Sequence, residues 1–143
     1  MRVVGFIGAS GTGKSYRALW VAKERNIDYI IDDGLLIYQN RIIAGKSAKK
    51  EPTKVGSIKT ALFTDSSHRK QVIDALKGHN PDAILILGTS DGMVEKIAET
   101  LGLGPVSEKV YIEDVASELE IKQALNTRTG QGKHVIPVPT IEL

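Results

Sequence analysis

The chain has 143 residues, a formal net charge of +2, 41% hydrophobic residues and no cysteine. That is the length and apolar content of one domain with its own core, and it excludes a disulfide framework, a thiolate metal site and a cysteine nucleophile. No apolar run approaches the ~20 residues of a membrane span, the short N-terminal run does not read as a secretory leader, and so small a charge gives no argument for nucleic acid. The expectation is therefore a cytoplasmic protein.

Arg2-Val3-Val4-Gly5-Phe6-Ile7 reads as a short buried strand. Directly after it, Gly8-Ala9-Ser10-Gly11-Thr12-Gly13-Lys14-Ser15 fits G-x-x-x-x-G-K-[ST], the Walker A loop. Residues 16–26 then read as a helix whose apolar face carries Ala18, Leu19, Val21 and Ala22. Glycines at 8, 11 and 13 are expected to take positive φ and bring the backbone close to a polyanion. Successive N–H groups then form a nest for phosphate oxygens, and the helix N-terminus adds about half a positive charge. Lys14 is expected to reach the β- and γ-phosphates and the Ser15 hydroxyl to hold Mg²⁺. Gly8, Ala9, Ser10, Gly11, Thr12, Gly13 and Tyr16 complete the expected nucleotide contacts.

Asp28-Tyr29-Ile30-Ile31-Asp32-Asp33 reads as a second strand that Gly34 ends or bends. Leu35-Leu36-Ile37-Tyr38 either extends it or forms a hairpin arm. Residues 41–59 carry Arg41, Lys46, Lys49, Lys50, Lys54 and Lys59 against Glu51 alone. Gly45, Ser47, Pro52 and Gly56 make much of this segment an expected loop: a lid over a triphosphate, a dock for an anionic partner, or a solvated loop. Residues 58–63 suit a short helix.

Thr64-Asp65-Ser66-Ser67 is a cluster of N-cap residues before a helix with Val72, Ile73 and Leu76 inward and Gly78 at its end. Ala83-Ile84-Leu85-Ile86-Leu87 suits a central parallel strand buried on both faces. Asp91 is the expected cap of the next helix, which places Val94, Ile97, Ala98 and Leu101 on one face and stops at Gly102. Lys109-Val110-Tyr111-Ile112 is a fourth strand, and Glu113 and Asp114 open a helix to about Leu125. Residues 128–133 are a loop. His134 to Ile141 is a last extended segment that Pro137 and Pro139 confine to a sheet edge. His68, His79 and His134 have no ligand spacing and read as surface or satisfied residues. The chain stops at Leu143 without a polar tail, so this single domain also suits the N-terminal part of a longer protein.

Strands alternating with helices predict an α/β fold: a mostly parallel sheet of about five strands with helices on both faces. Right-handed crossovers put every strand-to-helix loop at one sheet edge. That edge gathers the 8–15 loop, Asp32 and Asp33, the trio Thr89, Ser90 and Asp91, and Glu113 with Asp114, and it leaves Arg128 and Lys133 opposite. Asp32 and Asp33 stand 18 and 19 residues past Lys14. An acid there can hold the metal, act as a base, or serve local turn chemistry. Strand alternation gives the two different roles, with Asp32 the choice for the metal.

Residues 3–38, through the 8–15 loop and Ile30-Ile31-Asp32-Asp33, resemble the P-loop NTPase superfamily in its small kinase-like branch. The spacing is most similar to the core of HPr kinase/phosphorylase, and shikimate- and nucleotide-kinase-like proteins share the acid after the second strand. The resemblance implies a three-layer P-loop NTPase fold, Mg²⁺ and nucleotide as ligands, Lys14, Asp32 and Asp33 as catalytic groups, and Ser15 with Asp32 at the metal. The chain lacks N-K-x-D and D-x-x-G, which favours ATP over GTP, and lacks the extra lysine of ParA-like loops. The expected activity is an Mg-dependent phosphotransferase or ATPase acting on an unnamed acceptor. The alternative is a nucleotide-binding regulatory or assembly module with little turnover.

Overall fold

In the computed structural model, which describes residues 1–115, the chain begins with β1 (Arg2–Ile7), α1 (Lys14–Glu24), β2 (Tyr29–Asp32), β3 (Leu35–Tyr38) and β4 (Arg41–Gly45). A 3₁₀ turn (Ala48–Lys50), α2 (Lys54–Ala61), α3 (Ser66–His79), β5 (Ala83–Gly88), α4 (Asp91–Thr100) and β6 (Glu108–Tyr111) follow. The expected helix end at Leu125, the 128–133 loop, His134 and the proline-bearing last segment lie outside the described residues.

The six strands form one sheet in the order β4-β3-β2-β5-β1-β6. β2, β5, β1 and β6 are mutually parallel, while β3 and β4 extend the β2 side as an antiparallel meander. The sheet is thus α/β and mostly parallel, with one strand more than expected and a mixed edge. β5 sits at the centre with all six residues buried, as its unbroken apolar run requires. Helix α1 packs with Val4, Phe6, Ile30, Ile37 and Leu85 on one face. Helices α3 and α4 pack with Val3, Ile7, Ile31, Ile84 and Ile86 on the other. At roughly 25 cal/mol per Å² of apolar surface, these two layers are the main source of cohesion.

The meander has its own turn chemistry. Asp33 and Gly34 take φ of 57° and 90° between β2 and β3, and Gln39 and Asn40 take 45° and 69° between β3 and β4. Two successive positive φ values make the two-residue turn that matches strand twist. Leu36 pairs with Ala44 but Ile37 with Ile42, so Ile43 is the extra residue of a β-bulge. Ile42 therefore shares Ile37's face, and Ala44 shares that of Leu36. Tyr29 and Tyr38 pair across the strands with ring centroids 4.7 Å apart.

Three local expectations are corrected. Residues 41–59 are mostly ordered elements rather than loop, because β4 pairs along β3 and Thr53 caps α2 by accepting from Gly56 N–H at 2.9 Å. Helix α3 runs past Gly78 and ends on Asn80, whose φ of 48° stops it. Ser90, not Asp91, caps α4 by accepting from Met93 N–H at 3.1 Å. No described helix is long and apolar enough to cross a membrane.

Candidate functional site

The parallel register brings three strand ends together. Ile7 lies opposite Gly88 and Ile31 opposite Ile86, so the 8–15 loop, Asp32 with Asp33, and Thr89 emerge at one edge. A cleft of about 340 Å³ opens there, bounded by Ser10, Gly13, Lys14, Ser15, Asp32 and Asp33, with Lys49 and Thr89 at its sides. The sequence-predicted loop residues and both aspartates are therefore neighbours in space.

Gly11 and Gly13 take φ of 79° and 85°, as expected. Gly8 does not; it is required by contact, since a Cβ there would stand 2.6 Å from Ile112 Cγ2. Helix α1 starts at Lys14 with Gly13 as an N-cap that offers no side-chain acceptor. First-turn N–H groups of a helix have no intrahelical acceptor, so this end presents donors and the positive pole of the dipole to the cleft.

Lys14 Nζ folds back onto the loop, donating to Gly8 O at 2.5 Å and Ala9 O at 3.1 Å. Burial pulls its ammonium below the usual lysine range, and the Asp32 carboxylate partly offsets this. A partly desolvated cation whose hydrogen bonds among the described residues go to carbonyl oxygens is ready for a stronger anionic partner. Ser15 Oγ donates to Asp32 Oδ2 at 2.6 Å. That hydroxyl–carboxylate pair is a hard-oxygen donor set of the kind Mg²⁺ accepts together with waters and phosphate oxygens. No cluster of three or more His, Cys, Asp or Glu that could bind a metal by protein groups alone occurs among the described residues.

Asp33 differs from its neighbour. β2 ends at Asp32, and the positive φ of Asp33 turns its side chain back to the site instead of to the opposite face of the sheet. Ala48 N–H donates to its carbonyl at 2.9 Å, and Lys49 N–H reaches its carboxylate. Oδ2 is buried with no hydrogen-bond partner among the described residues. Burial, then the adjacent Asp32 charge, raises its pKa above the ordinary carboxylate value. A carboxylate with one satisfied and one bare oxygen is suited to accept a proton.

Two further residues support the site: Lys49, from the basic 41–59 segment, and His68, which carries no local sequence signal. Lys49 approaches the site because the 3₁₀ turn wraps over the Asp33–Gly34 turn. His68, read as a surface or satisfied residue, is 4% exposed and lies under that turn. Its Nε2 is 2.7 Å from Gly34 O and 3.2 Å from Lys46 N, and its ring stacks on Phe63. Its Nδ1 has no partner among the described residues. His79 is exposed and meets Tyr29 OH at 3.1 Å.

The other residues at the edge do less. Asp91 accepts from Lys109 Nζ and Tyr111 OH, at 3.3 and 3.0 Å, so it turns to β6. Ser90 is occupied as a cap. Thr89 borders the cleft, with its N–H and hydroxyl on Met93 Sδ at 3.3 and 3.4 Å. Residues 112–115 are helical, so Glu113 and Asp114 do fall in the first turn of a helix. Compared with known protein families, with curated proteins and with solved structures, the chain matches none.

Proposed function

We propose that the chain binds an Mg-nucleoside triphosphate, ATP in preference to GTP, at the 8–15 loop and transfers its terminal phosphoryl group to an acceptor or to water. The observation that carries this reading is the Ser15–Asp32 contact at 2.6 Å beside Lys14 and the uncapped start of α1. Phosphoryl transfer demands little covalent chemistry of a protein and mostly positioning and charge, and the cleft supplies both.

In this reading the loop N–H groups and Lys14 hold the phosphate chain. Ser15 and Asp32 supply two oxygens to Mg²⁺, which when bound neutralises charge on the phosphates. Asp33 faces the incoming oxygen and takes its proton as that oxygen bonds to the γ-phosphorus. The bond from γ-phosphorus to the bridging oxygen breaks, and ADP leaves with the electron pair. Asp33 borders the cleft beside Asp32 with a raised pKa, which favours an enzyme over a module that only binds, since a proton acceptor serves transfer and not binding.

Thermal unfolding with millimolar Mg-ATP, Mg-ADP and Mg-GTP is the first test. A ligand at 100 times its Kd adds about 2.7 kcal/mol, on the order of 10 °C in Tm for a domain of this size. No shift with any of the three refutes nucleotide binding. A shift without phosphate release over hours refutes transfer to water; ATP consumption that depends on an added acceptor then separates the phosphotransferase from the regulatory module.

A further inference from the structure

A second cleft, about 640 Å³, adjoins the first and shares Ser15, Tyr16, Asp32, Asp33 and Lys49 with it. Its remaining wall is the β3–β4 meander. Leu35, Ile37 and Ile42 form an apolar floor, and Lys46, Lys49 and Lys50 stand along it. Ile42 is 61% exposed, although it belongs to an ordered strand and its pairing partner Ile37 is buried. The bulge at Ile43 keeps it on that face. The volume falls within the roughly 300–1,000 Å³ of small-molecule sites. An apolar floor with a few convergent charges also suits a small ligand.

We propose that this second cleft binds a small organic anion with an apolar body and a hydroxyl group. The apolar body covers Leu35, Ile37 and Ile42, and the anion meets Lys46 and Lys50, whose field is concentrated in a concave low-dielectric wall. The hydroxyl lies towards Asp33, which borders both clefts. Lys46, Lys49 and Lys50 outnumber the cleft's two acids, Asp32 and Asp33. The inference rests on the nucleotide reading for the use of the site, since an occupant here would be the phosphoryl acceptor. Its binding properties stand apart from that reading.

Calorimetric titration of the full chain with octanoate, 1-octanol and acetate tests it, first with saturating Mg-ADP and then with none. Octanoate should bind at least tenfold tighter than octanol, which lacks the charge, and than acetate, which lacks the chain. Ile42→Asp and Lys50→Glu should each weaken octanoate by at least tenfold while leaving stabilisation by Mg-ADP unchanged. Both positions are exposed, so neither substitution threatens the fold. Equal binding of octanoate and octanol overturns the proposal. So does octanoate binding that neither variant affects, which would locate it elsewhere, for instance in the groove between the C-terminal half of α1 and the Gln39–Asn40 turn. Binding of an acidic peptide that Lys50→Glu abolishes, without octanoate binding, overturns it in favour of a protein partner. If Mg-ADP fails to bind while octanoate follows the expected pattern, the nucleotide reading falls and the anion site stands.

Discussion

The 8–15 loop and the β2–β3–β4 meander face each other across Asp32 and Asp33, and they are built on different principles. The loop works through its backbone: two positive-φ glycines, a close approach at Gly8 and an uncapped helix start. The meander works through side chains: its turns fix Asp33 and Ile42, and the 3₁₀ turn that follows it brings Lys49 and Lys50 alongside. Backbone donors suit an invariant ligand such as a phosphate chain. Side chains on a hairpin can be exchanged one at a time without disturbing the strand pairing beneath them. The difference therefore separates a general anion cradle from a wall that sets selectivity.

The largest effect expected from breaking this division lies at Asp33. Asp33→Asn should lower turnover by 10²–10⁴-fold and leave nucleotide binding intact, measured by phosphate release beside a binding titration. Turnover in the wild type should fall as pH drops through the pKa of Asp33, which burial raises. The same shift has a sign for stability. A folded-state pKa above the unfolded one means that the native state binds more protons, so this group's contribution to stability declines as pH rises through that window. Asp33→Asn, in a left-handed conformation that asparagine tolerates, should then be more stable than the wild type at pH 7 and no more stable near pH 3.

Next in size, Gly34→Ala should damage the meander. A Cβ at Gly34 would lie 2.3 Å from Lys46 O at a φ of 90°, and strain with a clash should cost about 3 kcal/mol or more in urea unfolding. If Gly34→Ala retains the nucleotide-induced shift in Tm, the cradle and the meander are separable. Lys14→Ala attacks the other side. It should abolish most of the roughly 2.7 kcal/mol of stabilisation by saturating nucleotide and leave the apo Tm nearly unchanged, because the hydrogen bonds of Lys14 among the described residues go to loop carbonyls.

Asp32→Asn should be milder, weakening Mg-dependent nucleotide binding about tenfold, or 1.4 kcal/mol, with little change in metal-free binding. Equal behaviour of the Asp32 and Asp33 variants would erase the distinction between them. The smallest effect concerns the base: in competition, ATP should bind at least as tightly as GTP, and a clear preference for GTP would contradict the inference from the missing N-K-x-D.

Legibility followed the same division. The loop could be read because its motif residues lie in one short stretch and Gly11 and Gly13 have a local reason, a positive φ; Gly8 does not, since it is required by contact with Ile112. β5 could be read because burial on both faces leaves an unbroken apolar run. The meander was harder. Asp33-Gly34 is a two-residue hairpin signal, yet four apolar residues after it fit either a longer strand or a returning one. β4 was masked by Arg41 and Gly45 at its ends and by a bulge that spoils its alternation. His68 had no local signal, since it is buried through contact with Gly34, 34 residues away. The pairing of Ser15 with Asp32 was legible as a shared edge, and its geometry followed only from the parallel register.

The bulge at Ile43 also proofreads the strand. A slide of β4 by one residue that erased the bulge would bring Ile43 opposite Leu36, into space that Ala44, 6% exposed, now fills. That layer already holds Leu36 and Phe63, both fully buried, and a close-packed layer rejects an isoleucine in an alanine's place. Misregistered chains are therefore selected against by the core on the far face of the sheet, so the wall of the second cleft inherits its alignment from residues that never touch it.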